Sequence, residues 1–356
     1  MTVLGLRFER REKVSRRWQF VTLALAFLAS ALVSSLLIIF ARASVGEAFA
    51  ALFAGAFGSW KAFLETLVKA TPLILTGLSV TVAFRAKIWS IGAEGQLLTG
   101  AMAGYWVGAN LTSLPPVLLF LAILAAAFAG GAVCGWIPGY LKAKLRVDEV
   151  IVTVMLNYVV IFLLSYLLAN PWREPAQYYH MTPSVPEVAH FPVLFARSRL
   201  HIGFVVALVS SVLVFWLLHK TCLGYEIRGI GLNPTAVKFK GVNVARVTIL
   251  TMVISGGLAG LAGAGEVMGL HHRLKADIST GIGFTGIIIA MLAGLNPLGV
   301  IPAAILFGGL VNGSNRMQIL TGVPTAMVYT IQGVVLLLFL SARAMAMYRV
   351  RRVRNA

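Results

Sequence analysis

Between Phe20 and Phe40 the chain runs for 21 residues without a charge. A helix needs about 20 apolar residues to cross the hydrocarbon of a bilayer. Comparable runs recur along the whole chain, so it reads as a polytopic membrane protein of the all-α class. Composition agrees: 59% of residues are hydrophobic and 12% charged, with a mean hydropathy of +0.87. A soluble domain carries about 25% charged residues.

Ten spans are predicted, near residues 19–40, 66–84, 88–108, 115–137, 149–168, 202–218, 247–267, 281–295, 298–313 and 322–341. The eighth and ninth are short and Gly-rich, and read as half-helices or a re-entrant pair. The net charge of +18 fits the excess of Lys and Arg on cytoplasmic segments better than nucleic-acid binding. With the N-terminus inside, the basic tail 1–18, Arg85 and Lys87, Lys142 to Arg146, the loop 219–246 and the tail 342–356 all fall on one side. This favours an even number of spans, with both ends cytoplasmic and the transmembrane domain at 19–341. Ala41-Arg42-Ala43 looks like a cleavage site, but the preceding run exceeds the roughly 7–15 apolar residues of a signal peptide. An uncleaved first span is therefore expected.

The loop 170–200 is external and holds five prolines, which excludes a long helix. Cys134 and Cys222 are not expected to pair. No Cys/His cluster has metal-ligand spacing, and adjacent His271 and His272 would point apart on a helix. There is no Gly-x-x-x-x-Gly-Lys-Ser/Thr phosphate loop, no carboxylate pair and no Ser/His/Asp set, so the chain itself is not expected to be an enzyme.

Three stretches break the apolar pattern. The first is WSIGAEGQLL, residues 89–98. An acidic residue at a helix centre costs about 2.5–3.5 kcal/mol on insertion, and Glu94 sits about 10 Å in from Lys87 on a helical rise. Gly92 and Gly95 weaken the helix around it. A helix broken at Gly95 would turn Glu94 and Gln96 toward one polar path, with Ser90 nearby; the alternative is a buried Glu bonded to a neighbouring helix. The second is DEVIVTVMLNYV, residues 148–159. Asp148 and Glu149 suit a helix N-terminus, and Asn157, deep in the span, needs a partner: either the path or an interhelical hydrogen bond. The third is cytoplasmic, LGYEIRGIGLNPTAVKFKGVNVARV, residues 223–247. Asn233-Pro234 starts a short helix, Gly241 stops it, and the result is either a surface connector or a peg for a soluble partner. There is also a weak internal echo. GAEGQLLTGAMAG at 92–104 and GIGFTGIIIAMLAG at 281–294 are each followed by Pro and then Gly-Gly, as in transporters built from two halves.

Together these stretches resemble the permease subunits of ABC importers for simple sugars and nucleosides, the ribose-type permeases. The branch that works with basic-membrane-lipoprotein-type nucleoside-binding proteins is the nearest. That branch carries AFR-x-G-x-x-NIGAEGQ, present as AFRAKIWSIGAEGQ at 83–96, and PGxLKAKxxVxEVIVTxMxNY, present as PGYLKAKLRVDEVIVTVMLNY at 138–158. GFTGIIIAMLAGLNPLGVIPAAILFGGLVNG at 283–313 is similar to its late spans. Lys87 stands in place of a frequent Gly, and Ser90 in place of the usual Asn. The resemblance covers about Thr71 to Leu340.

It implies a helical permease of the bacterial inner membrane that dimerises around a central path, often with a non-identical second permease. It also implies two ATP-binding subunits using ATP-Mg, no cofactor in this chain, and an external binding protein or lipoprotein that delivers a nucleoside, or a simple sugar. Ser90, Glu94, Gln96 and Asn157 would line the path, and Glu226, Arg228, Asn233, Ala236 and Gly241 would couple to the ATPase. A rival reading is an ion-coupled carrier with Glu94 as its proton or cation site.

Overall fold

The computed structural model describes residues 2–3, 6–10, 16–175, 179–279 and 281–352; of the basic tail residues, Arg11, Lys13 and Arg354 lie outside these. The chain divides into two units, Met1–Ser59 with Leu310–Ala356, and Trp60–Gly309.

In the first unit, strands β1 (Thr2–Val3) and β2 (Leu6–Arg10) precede helices α1 (Arg16–Phe40) and α2 (Val45–Phe57). The α1–α2 bend is 118°. Helix α2 was not expected, although Ser44 and Glu47 carry half of a capping box: the Ser44 hydroxyl accepts from the Glu47 amide at 3.5 Å. The unit closes with α13 (Thr325–Met347), which lies along α1, and β3 (Tyr348–Arg352). β3 pairs antiparallel with β2, Leu6 opposite Arg352 and Arg10 opposite Tyr348. This pairing brings described residues of the two tails together. The sheet is the exception to an otherwise helical chain.

The second unit holds α3 (Trp60–Arg85), α4 (Ala93–Asn110), α5 (Pro116–Tyr140), α6 (Glu149–Ala169), α7 (Gly203–Lys220), α8 (Cys222–Leu232), α9 (Pro234–Phe239), α10 (Val244–Ala264) and α11 (Ile282–Leu292). Helix α12 (Pro297–Thr321) carries the boundary between the units within it. π-Helical turns extend α5 over Leu141–Leu145 and α10 over Gly265–His271.

Each of the ten expected spans holds a helix. Among the described residues six are long and apolar enough to cross a membrane, or seven with the bent α1–α2 pair; α4, α11 and α13 fill the other three segments without meeting that test. The eighth segment is the short helix expected. The ninth is not, because α12 runs on as one helix to Thr321.

Helix α10 packs against α5, α4 and α3, and small residues set the distance. A Cβ on Gly131 would fall 2.1 Å from the Gly256 carbonyl oxygen, and one on Gly260 2.1 Å from that of Ala127. Without water-driven burial between spans, such backbone contact is what holds helices together. Helix α3 is 94% buried over its apolar window while α6 is 22% buried, so α3 is central and α6 faces outward to lipid or a second chain.

The loop 170–200 is pinned to the chain after α10. Val185 N–H donates to the His272 carbonyl at 2.8 Å, and Phe191 N–H to that of Met268 at 3.0 Å. His271 and His272 do point apart. His271 Nε2 lies 3.5 Å from Glu266, and His272 stacks on His190 at 3.8 Å. Both cysteines are free, Cys134 buried and Cys222 exposed.

Candidate functional site

The helix breaks before Gly95, not at it. Helix α3 ends at Arg85, residues 86–92 are not helical, and α4 starts at Ala93 with Gly92 as its N-cap. Lys87 takes φ +54°, the left-handed region that glycine enters freely, which accounts for the frequent Gly in the resembling motif.

One face of α6 templates the unwound segment. Glu149, Thr153 and Asn157 lie four residues apart, one above another on a helix. The Glu149 carboxylate accepts from Trp89 N–H at 3.0 Å, and the Thr153 hydroxyl from Ile91 N–H at 3.1 Å. Asn157 accepts from Gly95 N–H at 2.9 Å through Oδ1 and donates to the Ile91 carbonyl at 2.9 Å through Nδ2. A Cβ on Gly95 would meet that Oδ1 at 2.9 Å, so glycine at 95 permits the approach. The two motifs that carry the resemblance are thus bonded to each other. Asn157 serves as an interhelical bond, and Glu149 and Thr153 are partners that the sequence reading missed; their four-residue spacing was the available signal.

Glu94 reaches the other way. Its Oε1 accepts from Gly281 N–H at 3.1 Å, and its Oε2 from Gly283 N–H at 2.7 Å. Gly281 is the N-cap of α11, at φ +90°. The carboxylate therefore caps the first turn of α11, where unpaired N–H groups and the helix dipole favour an anion. Hydrogen bonds to a charged group are worth about 1.5–3 kcal/mol each, so two of them offset the insertion cost. Gly283 lets the helices touch: its Cβ would lie 2.3 Å from the Glu94 nitrogen. The two echoing motifs, at 92–104 and 281–294, thus begin two short helices whose N-termini meet at Glu94.

Ser90, Glu94, Gln96 and Asn157 are all buried and belong to this one knot. Ser90 accepts from Gly92 N–H at 3.4 Å. Gln96 differs from the rest: its Oε1 is buried without a hydrogen-bond partner.

The coupling candidates form a separate feature. Asn233 caps α9, accepting from Ala236 N–H at 3.1 Å, with Pro234 as the first helical residue. Gly241 follows at φ +81° and ends the helix. Asn233, Ala236 and Gly241 are exposed, and Glu226 and Arg228 on α8 are half-buried. A Cβ on Gly231 would meet the Arg85 carbonyl oxygen at 2.1 Å, so α8 is seated on the end of α3. The sequence reading missed Leu232 and Phe239, 82% and 88% exposed. They are large apolar side chains at the ends of α8 and α9, beside the exposed coupling candidates.

A helical membrane body with two helix starts meeting inside it, and a capped helix standing off one end, is the architecture of a transport permease. The family profile described as branched-chain amino acid transport system / permease component matches residues 62–340. The chain belongs to that family and is a membrane permease component of an ABC transporter. It is 37% identical over 326 residues to the guanosine ABC transporter permease protein NupP of Bacillus subtilis (strain 168), covering 90% of this chain and 92% of that one. It is 32% identical over 355 residues to the glucose ABC transporter permease protein TsgB13 of Haloferax volcanii, covering 97% and 93%. It is 34% identical over 275 residues to the nucleoside ABC transporter permease protein NupB of Lactococcus lactis subsp. cremoris (strain MG1363), covering 75% and 76%.

Proposed function

We propose that the chain imports nucleosides across the bacterial inner membrane. It works by alternating access as the permease of a complex with ATP-binding subunits that use ATP-Mg, a second and non-identical permease, and an external binding protein. The observation that carries the reading is the exposed α9 peg, with its bare Phe239, on a chain similar to guanosine and nucleoside permeases. An ion-driven carrier has no use for such a peg. The two backbone N–H groups that Glu94 accepts from support a capping role for it in place of an ion site.

Within the knot, Gln96 is the group available to a solute. Its unpaired amide oxygen accepts from a sugar hydroxyl or a base N–H when the helix starts part, with the Ser90 hydroxyl beside the same turn. Glu94 and Asn157 position that turn. A simple sugar is the second reading, favoured by the glucose-permease relative.

The test is uptake by proteoliposomes holding the assembled complex. Guanosine accumulation that needs ATP on the ATPase side, and that excess glucose leaves unchanged, is the expected result. Uptake of glucose but not guanosine selects the sugar reading. Uptake by the lone chain on a proton or sodium gradient overturns both.

A further inference from the structure

At the inner ends of α3, α5 and α10, beside α9, lies a cavity of about 770 Å³. Lys87, Lys142, Arg146 and Lys238 line it, and among the described residues no carboxylate does. Lys142 is neutralised by Glu149. No side-chain hydrogen bond or ion pair engages the other three among the described residues. Two of them occupy strained positions: Lys87 and Arg146 adopt φ of +54° and +56°, where a side chain is disfavoured and glycine is not. Val244 and Ala245 complete the lining. They open the 21-residue helix α10, so their N–H groups have no partner within it and carry the positive end of its dipole. Lys87, Arg146 and Lys238 are exposed, so water screens them in part; three like charges and a helix start around one hollow still favour an anion with several oxygens.

We propose that this cavity binds a phosphate group, held by Lys87, Arg146, Lys238 and the first-turn amides of α10. Its cytoplasmic sidedness follows from the distribution of basic residues along the sequence, and the proposal does not depend on the transported solute. Two sources supply such a group there. One is an anionic lipid headgroup, since basic pockets between spans on the cytoplasmic side hold them, and α5 carries exposed, stacked Trp136 and Tyr140 at 5.3 Å, an aromatic pair of the kind found at headgroup depth. The other is a soluble phosphate ester. Either one ties α9, through Lys238, to the bundle, through Lys87 and Arg146, so occupancy restrains the docking helix.

The experiment uses the full chain in neutral phosphatidylcholine nanodiscs. Inorganic pyrophosphate is titrated by calorimetry, and retained phosphatidylglycerol is compared with phosphatidylcholine by native mass spectrometry. Saturable binding of either probe is expected, weakened by about tenfold or more in R146Q/K238Q, less in each single variant, and unchanged in Lys61→Gln. Pyrophosphate alone identifies a soluble ester; phosphatidylglycerol displaced by pyrophosphate identifies a lipid headgroup. Equal binding by the double variant, or no binding of either probe by the native chain, overturns the proposal. So does a double variant that loses only its ATP-binding partner while native chain binds neither probe, because the cations then belong to that interface.

Discussion

Replacing Glu94 with Gln keeps the side chain's shape and removes its charge. In the native arrangement the carboxylate takes two backbone N–H groups, from Gly281 at 3.1 Å and Gly283 at 2.7 Å. An amide accepts one of them and turns its own NH₂ toward the other. Two charge-assisted bonds of about 1.5–3 kcal/mol each become one neutral bond of about 0.5–1.5 kcal/mol, with a buried N–H left unpaired. The net loss is about 2–4 kcal/mol, a large share of the roughly 5–15 kcal/mol that holds a folded domain together. Buried Cys134 reports the loss: on a Cys222→Ser background, a thiol dye should label Glu94→Gln at a lower temperature than the parent. Gly283→Ala checks the geometry. Its Cβ would lie 2.3 Å from the Glu94 nitrogen, so it must push the two helix starts apart. Glu94→Gln should then cost much less on that background, because contacting residues couple. Unchanged labelling of Glu94→Gln, together with lost transport, would refute the capping role and assign the charge to the solute.

Three further outcomes are expected. Ala236→Glu should insert normally yet fail to co-purify with the ATP-binding subunit, because docking would bury an unpaired charge, and Phe239→Ser should weaken the same complex by about tenfold or more. Burial holds the His201 imidazole down to about 4, with the Glu266 charge opposing and His272 adding to the effect. A neutral buried ring contributes fully above its unfolded value near 6.5 and loses its contribution as pH falls toward 4, so acid should destabilise the protein by about 3 kcal/mol across that window, and His201→Phe should flatten the dependence of thermal labelling on pH. Arg85→Gln should leave assembly intact while lowering solute moved per ATP consumed; an unchanged ratio would exclude Arg85 from coupling.

The membrane body was legible because its signals are local. Runs of apolar residues located ten helices, Asp148 and Asn233 announced their caps, and the resembling motifs marked the turns that matter. Features made by distant partners were not legible. Glu94 read as a charge in need of a partner, but the partners are backbone amides some 190 residues away, which leave no side-chain signature. Gly92 and Gly95 suggested a break at Gly95, whereas the unwound residues 86–92 end at Gly92 and Gly95 admits Asn157. Helix α12 looked short because Asn312, Ser314 and Arg316 interrupt its hydropathy. Two of those polar groups are used within the first unit: Asn312 Nδ2 donates to the Gly55 carbonyl at 2.9 Å, and Arg316 to the Ala54 carbonyl at 3.4 Å.

The contacts in the second unit form a continuous mechanical route. Exposed α9 packs on α8, where Gly229 leaves room for Val237. Helix α8 sits through Gly231 on the Arg85 carbonyl at the end of α3. The Arg85 side chain donates from Nε to the Leu295 carbonyl at 2.8 Å, just past the C-terminal end of α11. The opposite end of α11 is fastened to α4 by Glu94. A helix of 11 residues is about 16 Å long and stiff along its axis. A push on α9 therefore has a path of packed backbone and charged hydrogen bonds to the point where the two helix starts meet. That point is also where Gln96 keeps an unpaired oxygen. What the route supplies is an element with two ends, one joined through Arg85 and α8 to α9 and one at the buried turn.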